Sequence, residues 1–256
     1  MKQILLTPSA GKRLIAKALL THPSIQRALK NGTVVIIAGT TNGYAAEEIL
    51  NAIGENGFSR KRFFRGLTMP HAMEVTNEGR LADESQFPGD AVIVKGKWQK
   101  GKTIAEVADS LVEGDVIVKG ANAVDLIHKQ AAILIGHPKA GTIGYTIPAV
   151  AGRRVKLIVA AGLEKRVNCD LNQIATKLNE PEAEGYRLLP ISGELFTELE
   201  AIKCLFGVNA ELFAAGGVCG AEGGCWLLIS GNKKQVEYAE KTIKLLANEP
   251  AFDFKI

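Results

Sequence analysis

The segment with the clearest chemical potential is residues 39–43, GTTNG, which follows an apolar run and precedes a helical pattern. Backbone amides at a helix N-terminus have no acceptor within the helix, and a glycine lets the chain surround an oxyanion closely. Hydroxyl and amide side chains add further hydrogen-bonding groups. We therefore predict a phosphate site here rather than an ordinary strand-to-helix turn. Its predicted ligand-binding residues are Gly39, Thr40, Thr41 and Asn42.

Three lysines lie near the ends of apolar segments and could add positive charge to this site. Lys95 and Lys119 close two similar runs, GDAVIVKG and GDVIVKG, and Lys139 lies in HPKAGTIGY, which leads into a helical pattern. Parallel sheets bind ligands beyond the carboxyl ends of their strands. Each lysine could instead be a solvated loop residue. The predicted additional ligand-binding residues are Lys95, Lys119, Asn122, Lys139, Gly141 and Thr142.

The elements that would position these residues alternate between strand and helix. Residues 33–38, the two similar runs and residues 155–160 are apolar throughout, as strands covered on both faces should be. The amphipathic stretch TIAEVADSLV joins the two similar runs, which predicts a βαβ unit. We expect an α/β fold with a mostly parallel, Rossmann-like αβα sheet in residues 1–180.

A polar, acidic stretch near residue 180 predicts a boundary between two domains. After it the pattern predicts strand 186–192, helix 193–206, strand 208–215, strand 225–230 and helix 232–247. This β-α-β-β-α order predicts a smaller ferredoxin-like α+β lobe in residues 181–256.

Composition narrows the class of protein. The chain has 256 residues, 46% hydrophobic and 23% charged, and its net charge of +4 is spread along the sequence. This balance favours a small anionic metabolite over a nucleic acid as the partner. Apolar runs too short to span a membrane and few cysteines predict a cytoplasmic protein without membrane contact. A lone C-x5-C segment is a poor zinc signature, so no metal or cofactor is predicted, and homo-oligomerisation stays open.

The order of these segments resembles the superfamily that unites type A ribose-5-phosphate isomerase, glucosamine-phosphate deaminase and the CoA transferases. GTVVIIAGTT is similar to the isomerase's phosphate loop, GDVIVKGANAVD to its acidic strand-end motif and HPKAGTIGY to its lysine-glycine segment. RLLPISGELF and the residues after it resemble its small lid lobe. HPKAGTIGYTIPAVA is also similar to a segment of methylthioribose-1-phosphate isomerase. The resemblance implies the predicted fold and a sugar-phosphate ligand.

The catalytic positions depart from the isomerase pattern. Its acidic pair aligns with Lys119 and Asn122, and its downstream glutamate falls near Pro148, so ribose-5-phosphate isomerase activity is expected to be absent or very weak. Asp125 and His128 are the remaining candidates for proton transfer. Two functions follow: an isomerase-like enzyme acting on a phosphorylated metabolite, or a noncatalytic metabolite-sensing or regulatory protein with the same pocket.

Overall fold

The computed structural model describes residues 1–69, 75–76, 79–81 and 83–253 and contains helices together with three sheets, which confirms the α/β class. The described strands are β1 (Lys2–Leu6), β2 (Thr33–Ile36), β3 (Ala91–Val94), β4 (Lys97–Trp98), β5 (Val116–Lys119), β6 (Ala123–Asp125), β7 (Gln130–Ile135), β8 (Lys156–Ala160), β9 (Arg187–Ile191), β10 (Glu194–Phe196), β11 (Asn209–Gly216) and β12 (Gly224–Ser230). The described α-helices are α1 (Pro8–Thr21), α2 (Pro23–Asn31), α3 (Thr40–Ala52), α4 (Ile104–Val107), α5 (Thr142–Ile147), α6 (Leu171–Leu178), α7 (Glu198–Phe206) and α8 (Lys233–Leu246).

The largest sheet has six strands in the order β10-β8-β5-β2-β3-β4. Strands β10, β8, β5 and β2 run parallel to their neighbours in this group. Strands β3 and β4 continue the sheet in antiparallel pairing. The sheet is therefore mostly parallel, and the C-terminal ends of its four parallel strands lie on the same side of it.

Both faces of this sheet are buried because its strands carry apolar side chains at successive positions. Val34 and Ile36 of β2 belong to one core cluster, which includes side chains of α1, α3 and α7. Val35 and Ile37 belong to a second cluster on the opposite face, which includes Ile104 of α4. Alternate side chains of a strand point to opposite faces, so an uninterrupted apolar run produces this arrangement.

The predicted βαβ unit between the two similar runs is wrong. Strand β2 lies between β3 and β5 and pairs antiparallel with β3 but parallel with β5. The reason is the turn after β3: Lys95 and Gly96 both have positive φ, at 45° and 73°, and connect β3 to β4 in a two-residue hairpin. Lys95 therefore lies at the opposite end of the sheet from Lys119, and its N–H donates to the Gly32 carbonyl.

The C-terminal elements follow the predicted order with one addition, but their pairing differs from a ferredoxin-like lobe. Strand β9 pairs with β7, which in turn pairs with β6, and β12 pairs with β11 and with β1 from the N-terminus. Residues 194–196, predicted to begin a helix, form β10 and extend the large sheet beside β8. The predicted boundary near residue 180 therefore divides strands that pair with one another.

The sequence of residues 57–88 has no sustained helical period, which predicts loops and short strands. The structure contains the 3-10 turn Arg60–Arg62 and an isolated bridge between Val75 and Leu81 in this region. The remaining part of that prediction at positions 70–74, 77–78 and 82 lies outside the described residues. Among the helices that the structure describes, none has the length and hydrophobicity to cross a membrane.

Candidate functional site

A cleft of about 750 Å³ lies at the C-terminal ends of β2 and β5. Its walls also include the loop after α3, the segment from the end of β7 to the start of α5, and residues that follow β8. Eight predicted ligand-binding residues line this cleft: Gly39, Thr40, Thr41, Asn42, Lys119, Asn122, Gly141 and Thr142. The structure thus brings together predicted residues from three separate segments of the chain, at positions 39–42, 119–122 and 141–142.

The first turn of α3 forms one wall of the cleft. Gly39 is the N-cap of α3 and makes no side-chain capping bond, so the first amides of the helix have no intrahelical acceptor. Thr41 is only 2% exposed, and its Oγ1 is buried without a hydrogen-bond partner among the described residues. A buried hydroxyl without a partner is unfavourable, and a ligand atom would remove that cost.

Asn42 fixes the start of α3 against the sheet. Its Nδ2 donates to the carbonyls of Ile37 at 2.7 Å and Val118 at 3.2 Å, which follow or belong to the two neighbouring strands. Its Oδ1 is buried and has no partner among the described residues. Asn42 therefore has a structural role, and its Oδ1 atom can still accept a hydrogen bond from a ligand.

Lys119, the last residue of β5, is the buried cation of the cleft. The pKa of Lys119 is lowered to about 8, because burial and the charges of Arg65 and Lys165 together outweigh the opposing effect of Asp90. Asp90 is fully buried, and burial raises the pKa of its carboxyl. An ammonium group that is held away from water interacts strongly with an incoming anion, because neither solvent nor salt screens it well.

Sequence reasoning missed several charged residues that line the cleft. The missed cationic side chains are Arg65, Arg80 and Lys165, and the missed acidic ones in the described residues are Glu164 and Asp253. Glu164 and Lys165 follow β8, which was predicted as a strand of the parallel sheet. The rule that places ligands beyond the carboxyl ends of such strands therefore applies to them as well. Arg65 ends the dense basic run of residues 60–65, which could belong to a groove, but exposed basic runs are common and the run alone does not identify a site.

Four predicted site residues do not line the cleft. Lys95 lies at the other end of the sheet, and Lys139 is an exposed residue beside the cleft segment. Asp125 and His128 form a local pair at the turn between β6 and β7, with 2.6 Å between Asp125 Oδ2 and His128 Nδ1.

The carboxylate of Asp125 also accepts the N–H groups of Ile127 and His128, so it stabilises the turn. The hydrogen bond with His128 lowers the pKa of Asp125 and raises the pKa of His128. Asn122, which does line the cleft, is tied to β7 because its Oδ1 accepts the N–H of Leu134 at 3.1 Å. These contacts give Asp125, His128 and Asn122 structural roles.

Among the described residues, no group of three His, Cys, Asp or Glu side chains is placed to hold a metal ion. No family model, curated protein or solved structure matches the chain.

Proposed function

We propose that this protein binds a small phosphorylated or otherwise anionic metabolite in the cleft at the carboxyl ends of β2 and β5. The observation that carries the proposal is the Thr41 hydroxyl, which is buried in the first turn of α3 and has no hydrogen-bond partner in the described part of the chain. The partial positive charge of a helix N-terminus attracts an oxyanion, and its free amides can bind one. Lys119 lines the same cleft and supplies a full positive charge.

The noncatalytic role, in metabolite sensing or regulation, is the better supported of the two functions considered. The residues expected to transfer protons, Asp125 and His128, are engaged with one another at a turn and do not line the cleft. The cleft carboxylate Glu164 lies beside two ammonium groups that outweigh burial and lower its pKa, which makes it a weak base at neutral pH. We therefore propose binding without sugar-phosphate isomerase turnover.

Calorimetric titration with inorganic phosphate, ribose 5-phosphate and ribose tests the proposal. We expect both phosphorylated compounds to bind and ribose to fail. Thr41→Val removes the hydroxyl at nearly constant volume, so it should weaken phosphate binding roughly 10- to 100-fold, the effect of one hydrogen bond to a charged group. The bound ribose 5-phosphate should be recovered unconverted.

Lys139→Ala provides the matched control, because Lys139 is exposed and lies outside the cleft lining. Its phosphate affinity should stay within about threefold of the unmodified protein, as for an exposed charge screened by solvent. Failure of both phosphorylated compounds to bind, or equal affinity in Thr41→Val, would contradict the anion site. Ordinary isomerase turnover would instead favour the enzyme function.

A further inference from the structure

A cluster of ionisable side chains at one side of the cleft is not explained by anion binding. Lys12 of α1 donates from Nζ to Glu164 Oε1 at 3.1 Å, and the two side chains are only 12% and 17% exposed. Glu198 of α7 is 2% exposed, and its Oε2 accepts the N–H of Leu163 at 2.9 Å. Two carboxyl groups and a lysine are thus held together in a largely buried place.

Two glycines make room for these carboxyl groups. A Cβ atom at Gly11 of α1 would overlap Glu198 Oε1, and a Cβ atom at Gly162 would overlap Glu164 Oε2. Neither glycine has the positive φ that favours glycine for backbone reasons. The space at both positions is therefore used to accommodate the side chains of Glu164 and Glu198.

The two carboxyl groups have different charge states at neutral pH. Burial, reinforced by the charge of Glu164, raises the pKa of Glu198 to about 8, so Glu198 is protonated. Burial acts the same way on Glu164, but Lys12 and Lys165 outweigh it and hold the pKa of Glu164 below its ordinary value. Glu164 is therefore an ionised carboxylate with one oxygen bound to Lys12.

The other oxygen, Glu164 Oε2, is buried and has no hydrogen-bond partner among the described residues. Glu164 lines the cleft that also contains Thr41 and Lys119. A fixed, ionised acceptor of this kind forms hydrogen bonds about twice as strong as a neutral acceptor does. It is unfavourable for the protein to leave such an atom unpaired when a ligand fills the cleft.

We propose that Glu164 is a specificity-determining residue of the cleft, and that its Oε2 accepts a hydrogen bond from a hydroxyl group on the body of the bound anion. This inference rests on the proposed anion site. The donor is assigned as a hydroxyl because Lys12 and Lys165 already supply two positive charges around Glu164, and a cationic ligand group would add a third. The ligand class is thus a hydroxylated phosphate, and an alkyl phosphate should be rejected.

The experiment compares phosphates that differ only in their hydroxyl groups. Calorimetry is performed with glycerol 3-phosphate against n-propyl phosphate, and with ribitol 5-phosphate against n-pentyl phosphate, so that two ligand lengths are covered. A site built to bind a hydroxyl discriminates strongly against an analogue that lacks it. We expect the hydroxylated member of at least one pair to bind roughly 10-fold or more tightly than its alkyl partner.

Glu164→Met removes the acceptor and should reduce this affinity ratio to within about threefold of one, because only the general phosphate contacts remain. The double variant Lys12→Met/Glu164→Met should give the same result without leaving the Lys12 ammonium unpaired and buried. Glu237→Met, at an exposed position of α8, is the matched control and should retain the ratio of the unmodified protein.

Three results would overturn the inference in distinguishable ways. Equal affinity within both pairs in the unmodified protein would show that hydroxyl groups are not recognised. An affinity ratio that persists in both Glu164 variants would show that another residue recognises them. If none of the four compounds binds, and Thr41→Val has no phosphate affinity to lose, then the proposed anion site itself is wrong.

Discussion

At the scale of single residues, the buried charge of Lys119 in the candidate site lowers the stability of the fold. It ends a strand whose other described residues are apolar, and it is 9% exposed beside a cleft that already contains Arg65 and Lys165. Burial makes the charged form of this side chain unfavourable, and the nearby Asp90 carboxyl offsets only part of this cost. The negative charge of the anion that we propose for this cleft would offset this cost.

We expect Lys119→Met to stabilise the protein by an amount that depends on pH. The folded-state pKa of Lys119 is about 8 and its ordinary value is 10.5, so the unfolded chain binds more protons between these values. The unfavourable contribution is complete below pH 8 and disappears as the pH rises towards 10.5. At pH 7 the variant should be more stable by something on the order of 2–3 kcal/mol, measured by urea unfolding.

The difference in unfolding free energy between Lys119→Met and the unmodified protein should shrink at pH 10, because Lys119 is then mostly neutral in the folded state. Lys139→Met is the control, since Lys139 is exposed and its substitution should leave stability nearly unchanged at both pH values. A gain of equal size at pH 7 and pH 10 would mean that packing of the methionine, and not the buried charge, produces it.

At the scale of elements, the two similar Gly-Asp runs place an aspartate at each end of β2. Asp115 precedes β5 and accepts the N–H groups of Thr33 at 2.7 Å and Val112 at 2.9 Å. Asp90 precedes β3 and accepts the N–H groups of Ala38 at 2.9 Å and Ile104 at 2.7 Å. The similar sequences thus have the same local function, but the strands that follow run in opposite directions.

Asp90→Asn and Asp115→Asn should destabilise the protein by similar amounts. Asparagine keeps one acceptor and replaces the other with an NH₂ group, so one buried backbone N–H loses its partner in each variant. The expected loss in unfolding free energy is about 1–3 kcal/mol for each, measured by urea unfolding. Asp109→Asn, at an exposed position, should change stability by less than about 0.5 kcal/mol. If Asp90→Asn or Asp115→Asn lost as little stability as this control, these carboxylates would not be important acceptors for the N–H groups at the ends of β2.

The positions of several strands could be predicted from the sequence, but their directions could not. Apolar runs identified β2, β3, β5 and β8, because burial on both faces demands such runs. The runs contain no information on strand direction, which here depends on the positive φ of Lys95 and Gly96 in the hairpin after β3. A lysine followed by glycine occurs after both similar runs, so the local sequence did not distinguish a hairpin from a strand that ends at the cleft.

For the candidate site, the helix-terminal residues Thr41 and Asn42 could be predicted because their sequence neighbours create the site. The proximity of Glu164 and Glu198 could not be predicted from the sequence, because they come from different elements. The glycines that accommodate them, Gly11 and Gly162, are also far apart in the chain. Contacts of this kind depend on tertiary packing.

At the scale of the whole molecule, strand pairing connects the two ends of the chain. β12 is held between β1 and β11, and β10 extends the large sheet beside β8. Glu249 after α8 adds an ionic connection: it binds Arg13 of α1, with 3.0 Å between Arg13 Nε and Glu249 Oε2, and Arg60 at 3.3 Å. Arg13 and Arg60 both lie against the ring of Tyr44 in α3.

Because these pairings cross residue 180, we predict that the chain unfolds in one cooperative transition. Its two tryptophans report on different regions: Trp98 lies in β4 at the edge of the large sheet, and Trp226 lies in β12 opposite Leu5 of β1. Trp226→Phe and Trp98→Phe each leave a single reporter. In each variant, the urea midpoint measured by tryptophan fluorescence should equal the midpoint measured by circular dichroism. Coincident transitions from two probes indicate two-state unfolding. A separate, earlier transition at Trp226 would instead identify residues 181–256 as an independent unit, and the connection through β1 and β10 would then contribute little to stability.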